Sequence, residues 1–310
     1  MKFNGLIAAA CTPFRADFSL DTERIPGLTD YLAGLGLAGL FVCGSTGECS
    51  SMTTEERMTA AGIFVSSARK RLPVIVHVGS ACVREAEILA AHAESIKADA
   101  IAAVAPSYFK PGNVNALVES MRIISAAAPS LPFYFYHIPA LTGVNFSMLD
   151  FLRLAEKRIP MLAGIKFTYE NLMDFQLSLN YRPEKYQLLF GRDEILLAGL
   201  ALGATGGVGS TYNYAAPLYL KMMDSFREGD WNTARKLQLL SQKLVLILGK
   251  YASAGKQIMA LIGQPVGPQR PPLDNSFDRN EELLKDLENA KLLSWLGGKN
   301  SRIVLKAVGN

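Results

Sequence analysis

The chain has 310 residues, of which 49% are hydrophobic and 19% are charged, and its formal net charge is +4. This length can bury a large core in one barrel-sized domain or in two smaller ones, and the composition is ordinary for a soluble globular protein. The basic residues are scattered rather than gathered in a stripe, which argues against nucleic-acid binding. No apolar run approaches the roughly 18 residues of a membrane span.

The chain begins with a short apolar run, residues 6–11, that superficially resembles a secretory signal. Such signals need an apolar region of roughly 7 to 15 residues, and here only one basic residue precedes a shorter run. We therefore predict a first strand and a cytoplasmic protein. No C-x-x-C pair or histidine cluster suggests a metal site, so we expect no metal and reduced cysteines, in the core or near a site. The cysteines are Cys11, Cys43, Cys49 and Cys82.

Eight apolar, β-rich runs recur along the chain, separated by segments with helical periodicity. This alternation favours βαβ units and a parallel sheet, and eight units favour a closed barrel. We predict an α/β protein, a (β/α)8 TIM barrel over 1–225 with a C-terminal helical extension over 226–310 that packs on it. The predicted strands are 6–12, 39–43, 73–79, 100–105, 132–139, 162–168, 187–191 and 206–210, and the barrel helices are 22–35, 53–71, 83–96, 114–127, 147–157, 172–179 and 195–202.

After the eighth run only helical patterns follow, at 217–228, 232–248, 255–262 and 280–296. The proline-rich connector 264–272 cannot be helical, because proline lacks the backbone N–H that a helix uses. Hydroxyl caps followed by acids predict a helix start near Thr53 and Glu56, and Asp193-Glu194 precedes the helix 195–202 in a similar way.

Lys166 lies inside the apolar run 162–168. With period-two alternation it shares one face with Gly164 and Thr168, while Ile165 and Phe167 share the other. A lysine at an edge strand, or one whose stem reaches water, is one interpretation. The other is an amine nucleophile whose pKa is lowered by burial, which forms a Schiff base with a ketone.

Active sites of such barrels lie at the C-terminal ends of the strands. There, the run 44–48 offers the hydroxyls of Ser45 and Thr46 between glycines, which is either a tight turn or a cradle for a carboxylate. Tyr136 lies in the C-terminal half of the fifth run, on the face of Tyr134, and sequential strands are usually neighbours, so its phenol can approach Lys166 as a proton carrier. Tyr134 and His137 are expected to be structural.

Two adjacent acids, Asp193 and Glu194, follow the seventh run. They are either first-turn acids of the next helix or acceptors for the hydroxyls of a sugar-like substrate. A carboxylate pair for glycoside hydrolysis is disfavoured, because adjacent residues rarely face each other across a sugar ring.

Five segments together resemble the N-acetylneuraminate lyase family, within the dihydrodipicolinate synthase superfamily of class I aldolases. The resemblance implies a (β/α)8 barrel, usually a homotetramer, that cleaves sialic acid to pyruvate and N-acetylmannosamine without metal or organic cofactor. Its partners are then small molecules, not nucleic acid or membrane. The segments are Gly44-Ser-Thr-Gly-Glu48, Tyr136-His-Ile-Pro-Ala140, Gly164-Ile-Lys166-Phe-Thr168, Gly191-Arg-Asp-Glu194 and Gly209-Ser-Thr-Tyr-Asn213.

The resemblance also implies residue roles. Lys166 is the expected Schiff-base lysine and Tyr136 the proton carrier. Ser45, with Thr46, holds the pyruvate carboxylate and so fixes the ketone beside the amine, which makes Ser45 a catalytic residue as well as a binding one. The residues implied to line the sugar-chain pocket are Thr168, Gly191, Asp193, Glu194 and Ser210.

One departure from the sister enzyme, dihydrodipicolinate synthase, bears on specificity. Where that enzyme has an arginine for its substrate's second carboxylate, this chain has Leu141. Leucine cannot pair with a carboxylate, which counts against the synthase. Two alternatives stay open: an aldolase for another 2-keto-3-deoxy sugar acid, and a non-catalytic barrel that binds a keto acid.

Overall fold

Eight parallel strands close into a barrel in the computed structural model, which describes residues 2–69, 71–275 and 280–297. Each strand pairs with the next along the chain, and the last pairs with the first. The predicted (β/α)8 barrel is therefore confirmed. The strands are β1 Gly5–Ala9, β2 Gly39–Val42, β3 Val74–His77, β4 Ala100–Val104, β5 Phe133–His137, β6 Leu162–Phe167, β7 Gln187–Phe190 and β8 Gly206–Gly209.

Helices follow the strands and continue beyond the barrel. They are α1 Arg24–Ala33, α2 Thr54–Ala68, α3 Val83–Ser95, α4 Val114–Ala126, α5 Pro139–Thr142, α6 Met148–Ala155, α7 Leu172–Leu179, α8 Leu196–Ala201, α9 Tyr212–Arg227, α10 Trp231–Leu248, α11 Ala254–Leu261 and α12 Asn280–Asn289. Short 3-10 segments lie at Cys49–Ser51, Asp193–Ile195 and Leu293–Trp295. None of the described helices is long and apolar enough to cross a bilayer.

Several predicted boundaries differ from the structure. The fifth strand ends at His137, and Pro139 instead begins the unpredicted helix α5, because proline suits the first helical turn. Helix α9 begins at Tyr212, before the predicted start at Pro217, with non-helical backbone at Ala215 where the proline disrupts the helical hydrogen bonding. The predicted helix 280–296 ends at residue 289 and is followed by a 3-10 turn.

Side chains of the strands divide between the barrel lumen and the layer under the helices. Successive residues of a strand point to opposite faces, so Tyr134 and Tyr136 of β5 fill the lumen while Phe135 and His137 face the helices. The alternation predicted for this strand is confirmed. The apolar lining of the lumen also includes Phe3, Ile7, Ala9, Phe41, Ile75, Ala100, Ala102, Leu189 and Val208.

The helices after the barrel pack against its C-terminal end. Gln238 and Ser241 of α10 donate hydrogen bonds to the carbonyl oxygen of Asp193, at 3.2 and 3.3 Å. A helical extension on the barrel is therefore present, and the connector 264–272 is not helical, as predicted. The boundary between barrel and extension at residues 225 and 226 stays a prediction. The last part of the predicted extension, residues 298–310, lies outside the described residues.

Candidate active site

Lys166 lies in the barrel lumen, with only 4% of its surface exposed. A closed barrel has no edge strand, so the structure excludes the interpretation of an edge lysine. Its Nζ lies 3.8 Å from the ring centroid of Tyr136 and 3.9 Å from that of Phe41. Burial lowers the pKa of Lys166 to about 7, although Asp193 and Cys49 act in the opposite direction. A large share of the amine is therefore neutral near pH 7.

Tyr136 pairs directly with Lys166 across β5 and β6, which is the proximity that the sequence predicts. The tyrosine is 4% exposed. Burial raises the pKa of its phenol to about 12, while the hydroxyls of Ser45 and Thr168 act to lower it. The phenol therefore carries its proton near neutral pH and has two hydroxyl-bearing neighbours.

The run 44–48 forms a tight turn after β2. Ser45 is exposed and Thr46 half-buried, and both line a cavity of about 290 Å³ together with Ser210 after β8. Two non-glycine residues with left-handed backbone, Cys43 (φ 55°) and Glu48 (φ 58°), flank the turn. Such strain persists only where surrounding contacts enforce it, and it concentrates at binding sites.

The adjacent acids lie in different environments. Asp193 is buried, and its Oδ2 accepts hydrogen bonds from the backbone N–H and the hydroxyl of Thr211, at 3.0 and 2.6 Å. Burial raises the pKa of Asp193 to about 6. Its Oδ1 is buried without a hydrogen-bond partner. Asp193 is a first-turn acid of the 3-10 segment that leads into α8, as one interpretation has it, but its carboxylate binds Thr211 and does not cap that segment.

Glu194 is partly exposed and lies nearer the rim of the barrel. Its Oε1 accepts from Arg192 Nη1 at 3.3 Å, and Arg192 also pairs with Glu170. Gln242 of α10 donates to the carbonyl oxygen of Glu194 at 3.1 Å. The carboxylate of Glu194 can therefore accept hydrogen bonds from hydroxyl groups of a ligand in place of its long contact with Arg192.

Thr168 and Gly191 lie side by side at the ends of β6 and β7. Thr168 is 8% exposed, and its Oγ1 is buried without a hydrogen-bond partner. A Cβ atom on Gly191 would overlap that hydroxyl, so only glycine permits this approach. This hydroxyl, near the phenol of Tyr136, is a polar group available to a ligand.

The structure thus gathers the predicted residues at one end of the barrel, in two levels. Ser45, Thr46 and Ser210 line the open cavity, whereas Lys166 and Tyr136 are buried in the lumen. Asp193 is close enough to Lys166 for its charge to affect the pKa of the lysine.

Two lumen residues near the lysine were not identified from the sequence. Phe41 supplies the second aromatic face against Lys166 Nζ, and His77 lies edge-on to the ring of Tyr136, with centroids 5.8 Å apart. Burial lowers the pKa of His77 well below its usual value, and its Nδ1 lies 3.0 Å from the carbonyl oxygen of Cys43. The period-two alternation of the second and third runs was the signal that could have placed both side chains in the lumen.

The cysteines match the prediction with one exception. All four are free thiols, Cys11 and Cys43 are buried, and Cys49 is half-buried near Lys166. Cys82 is exposed just before α3, so the prediction that it lies in the core or near the site is wrong. Its polar neighbours in the sequence, Ser80 and Arg84, already favour a surface position. Within the described residues no cluster of three or more histidine, cysteine or acidic side chains could hold a metal.

An amine buried in the lumen of a (β/α)8 barrel with its pKa lowered to about 7, beside a phenol and near a hydroxyl-lined cavity, is chemically suited to imine formation with a ketone. The fold and the site together therefore define a (β/α)8 barrel of the class that is suited to form a Schiff base through a lysine. The chain belongs to the dihydrodipicolinate synthetase family, whose model matches residues 2–290.

Within this family, the chain is similar to several proteins named N-acetylneuraminate lyase. N-acetylneuraminate lyase A of Xenopus laevis is 41% identical over 290 residues, which cover 91% of this chain and 95% of that protein. The solved N-acetylneuraminate lyase of Proteus mirabilis is 38% identical, with a TM-score of 0.91 over 94% of this chain and 100% of that one. The lyase of Aliivibrio salmonicida, described as a sialic acid aldolase, is 37% identical, with a TM-score of 0.91 over 94% and 99%.

Proposed function

We propose that this protein is a Schiff-base aldolase that cleaves N-acetylneuraminate reversibly to pyruvate and N-acetylmannosamine, with no metal or organic cofactor. The observation that carries the proposal is Lys166, an amine buried in the lumen with a pKa lowered to about 7. The names of the similar proteins from Xenopus laevis and Proteus mirabilis support the choice of substrate.

The first step brings the substrate ketone to the amine. Ser45 and Thr46 hold the C1 carboxylate of the open-chain substrate, and the neutral amine of Lys166 attacks C2 to give a carbinolamine. The carbinolamine hydroxyl takes a proton from water and leaves as water, which gives a protonated imine. The new cation offsets the burial that raises the pKa of the free phenol of Tyr136 to about 12, so the phenol gives up its proton to water and a phenolate lies beside the imine.

The second step breaks the carbon–carbon bond. The phenolate of Tyr136 takes the proton of the C4 hydroxyl, the C3–C4 bond breaks, and its electrons flow into the protonated imine. N-acetylmannosamine leaves as an aldehyde, and the enamine of pyruvate stays on Lys166. Protonation at C3 and addition of water then release pyruvate and regenerate the amine.

The remaining residues bind the sugar chain in this proposal. Thr168 and Asp193 each offer a buried oxygen without a hydrogen-bond partner, which suits them to substrate hydroxyls. Gly191 permits close approach, and Glu194 and Ser210 supply polar groups nearer the rim. A buried oxygen without a hydrogen-bond partner costs free energy, so a ligand whose hydroxyl donates to it gains binding free energy.

The pH dependence of cleavage follows from the amine. We expect kcat/KM for N-acetylneuraminate to fall about tenfold per pH unit below about pH 7 and to level off above about pH 8, because only the neutral amine attacks. The initial rate of pyruvate release, measured between pH 5 and 9 in one buffer mixture, tests this. A rate that still rises about tenfold per pH unit up to pH 9, as an amine with the ordinary lysine pKa of about 10.4 would give, would contradict a buried nucleophile.

The substrate preference follows from Leu141, which lies in the short helix α5, is 64% exposed and offers no cation to a second carboxylate. We expect N-acetylneuraminate to be cleaved readily, and aspartate semialdehyde with pyruvate to be condensed at least about 100-fold less efficiently, in line with the loss of a charged hydrogen bond to the second carboxylate. A coupled assay of pyruvate measures both. A higher rate with another 2-keto-3-deoxy sugar acid would redirect the assignment, and pyruvate binding without any cleavage would indicate a non-catalytic barrel.

The proposal includes a homotetramer, as the family resemblance implies, and the cytoplasmic location predicted from the sequence. The exposed aromatic pair Tyr108 and Phe109 (81% and 85% exposed), after β4, gives apolar surface that a partner subunit can cover. The mass of the native particle in solution tests the assembly.

A further inference from the structure

A buried ion pair lies directly behind the turn that carries Ser45 and Thr46. Lys256 Nζ of α11 lies 2.6 Å from Glu48 Oε1, and the two side chains are only 3% and 2% exposed. Both residues belong to the lining of the cavity that Ser45 and Thr46 share. Two charges are costly to bury, and their attraction offsets this cost only in one well-defined geometry. A pair as enclosed as this one therefore holds its two side chains in place.

Lys256 joins three parts of the chain at this point. Besides the contact with Glu48, its Nζ donates to the carbonyl oxygen of Thr12, at 3.1 Å, and to that of Pro268, at 2.8 Å. The hydroxyl of Thr12 in turn donates to the carbonyl oxygen of Gly47, at 2.8 Å. The ammonium group therefore connects the segment after β1 and the C-terminal connector to the turn after β2.

Glu48 needs such support, because its backbone is left-handed (φ 58°, ψ 38°), a conformation that costs free energy for a residue with a side chain. Its Oε2 accepts a hydrogen bond from the backbone N–H of Arg270, at 2.8 Å, and its own N–H donates to the carbonyl oxygen of Ser45, at 3.0 Å. Glu48 thus transmits the position of the C-terminal extension to the turn.

We infer that Lys256 is a positioning residue: through Glu48 it holds the Ser45–Thr46 turn in the geometry that binds the substrate carboxylate. This inference rests on the proposed function of that turn. It assigns the C-terminal extension a part in substrate binding, since α11 supplies the cation that orders a loop of the barrel. Loss of the pair weakens binding of every substrate with a 2-keto carboxylate, whatever its sugar chain.

The experiment measures pyruvate binding apart from cleavage. Lys256→Met and Glu48→Gln each remove one charge at nearly constant volume. We expect either variant to raise the pyruvate concentration that half-saturates borohydride trapping of Lys166, and KM for N-acetylneuraminate, by about tenfold, the equivalent of one good hydrogen bond. We expect kcat at saturation to change less than about threefold, because carboxylate binding is shared by ground and transition states.

Arg270→Met is the matched control. The Arg270 guanidinium binds Glu56 with two contacts of 2.6 Å, so this variant loosens the same connector. It keeps the backbone N–H of residue 270, which donates a hydrogen bond to Glu48. We expect a lower Tm and unchanged half-saturation by pyruvate. The double variant Glu48→Gln/Lys256→Met leaves no unpaired buried charge, so it should recover stability while pyruvate binding stays weak.

The outcomes separate the two hypotheses. Normal half-saturation by pyruvate in both single variants, or an equally weakened pyruvate binding in Arg270→Met, would overturn the positioning role. Trapping of pyruvate in the unaltered protein would still support the proposed function. If the unaltered protein forms no trapped adduct with pyruvate, the proposed function fails and this inference fails with it. All measurements are made at least 15 °C below the Tm of the least stable variant, so that unfolding does not imitate weak binding.

Discussion

Lys166→Met is expected to abolish both the trapping of pyruvate by borohydride and the cleavage of N-acetylneuraminate. The amine is the only group on this side chain that can form an imine, and methionine keeps an unbranched, apolar chain between the rings of Phe41 and Tyr136. Loss of a covalent nucleophile typically costs at least about 10⁴-fold in rate. The mass of the borohydride-reduced protein and the rate of pyruvate release are the measurements.

The same variant makes a prediction about stability with a defined sign. The pKa of Lys166 is about 7 in the folded protein, below its unfolded value, so the unfolded chain binds more protons between those two values. The lysine therefore destabilises the fold most at low pH, and this cost fades as pH rises toward the unfolded pKa. Lys166→Met should raise the Tm at pH 7 by a few degrees, an effect equivalent to about 1 kcal/mol or more.

The exposed Lys243 of α10 supplies the control for that experiment. Lys243→Met should retain both the adduct and full cleavage, because an exposed ammonium contributes nothing to the lumen. An adduct that persists in Lys166→Met, or disappears in Lys243→Met, would place the nucleophile elsewhere. Because Lys166→Met is expected to be stable, loss of its activity cannot be attributed to unfolding.

Much of the barrel is predictable because its signals are local. Parallel strands that are buried on both faces produce short apolar runs, and the helices between them show their own periodicity, so the order of elements follows from pattern alone. The alternation within β5 and β6 places Tyr136 and Lys166 on the same lumen face, and sequential pairing brings them together. The closure of the barrel then explains why the lysine is buried rather than on an edge strand.

Features that depend on distant parts of the chain were not predictable in the same way. Lys256 follows the barrel by many residues, and nothing in its neighbourhood in the sequence indicates that its ammonium lies against Glu48. The state of Asp193 also depends on a remote partner, Thr211, whose two hydrogen bonds draw the carboxylate inward instead of leaving it as a helix cap. Local propensity gave both acids the same structural interpretation, and tertiary contacts then separated them.

Tyr136→Phe is expected to preserve imine formation and to lose most of the cleavage. Phenylalanine keeps the aromatic ring against Lys166 Nζ and keeps the amine buried, so the pKa of the amine and its attack on pyruvate should change little. What disappears is the group that carries the C4 hydroxyl proton, and loss of such a group typically costs about 10²- to 10⁴-fold. Half-saturation of pyruvate trapping and kcat for cleavage, measured on the same preparation, separate the two steps.

Tyr134 is a matched control, because it lies two residues earlier on the same strand and the same lumen face and is equally buried. Its phenol donates to Gln187 Oε1 at 3.3 Å, away from the lysine, so Tyr134→Phe removes a hydroxyl from the lumen without touching the proposed proton path. We expect that variant to keep nearly normal kcat. Unchanged turnover in Tyr136→Phe, or an equal loss in both variants, would mean that the C4 proton leaves by another group and that the phenol of Tyr136 serves only to pack against the amine.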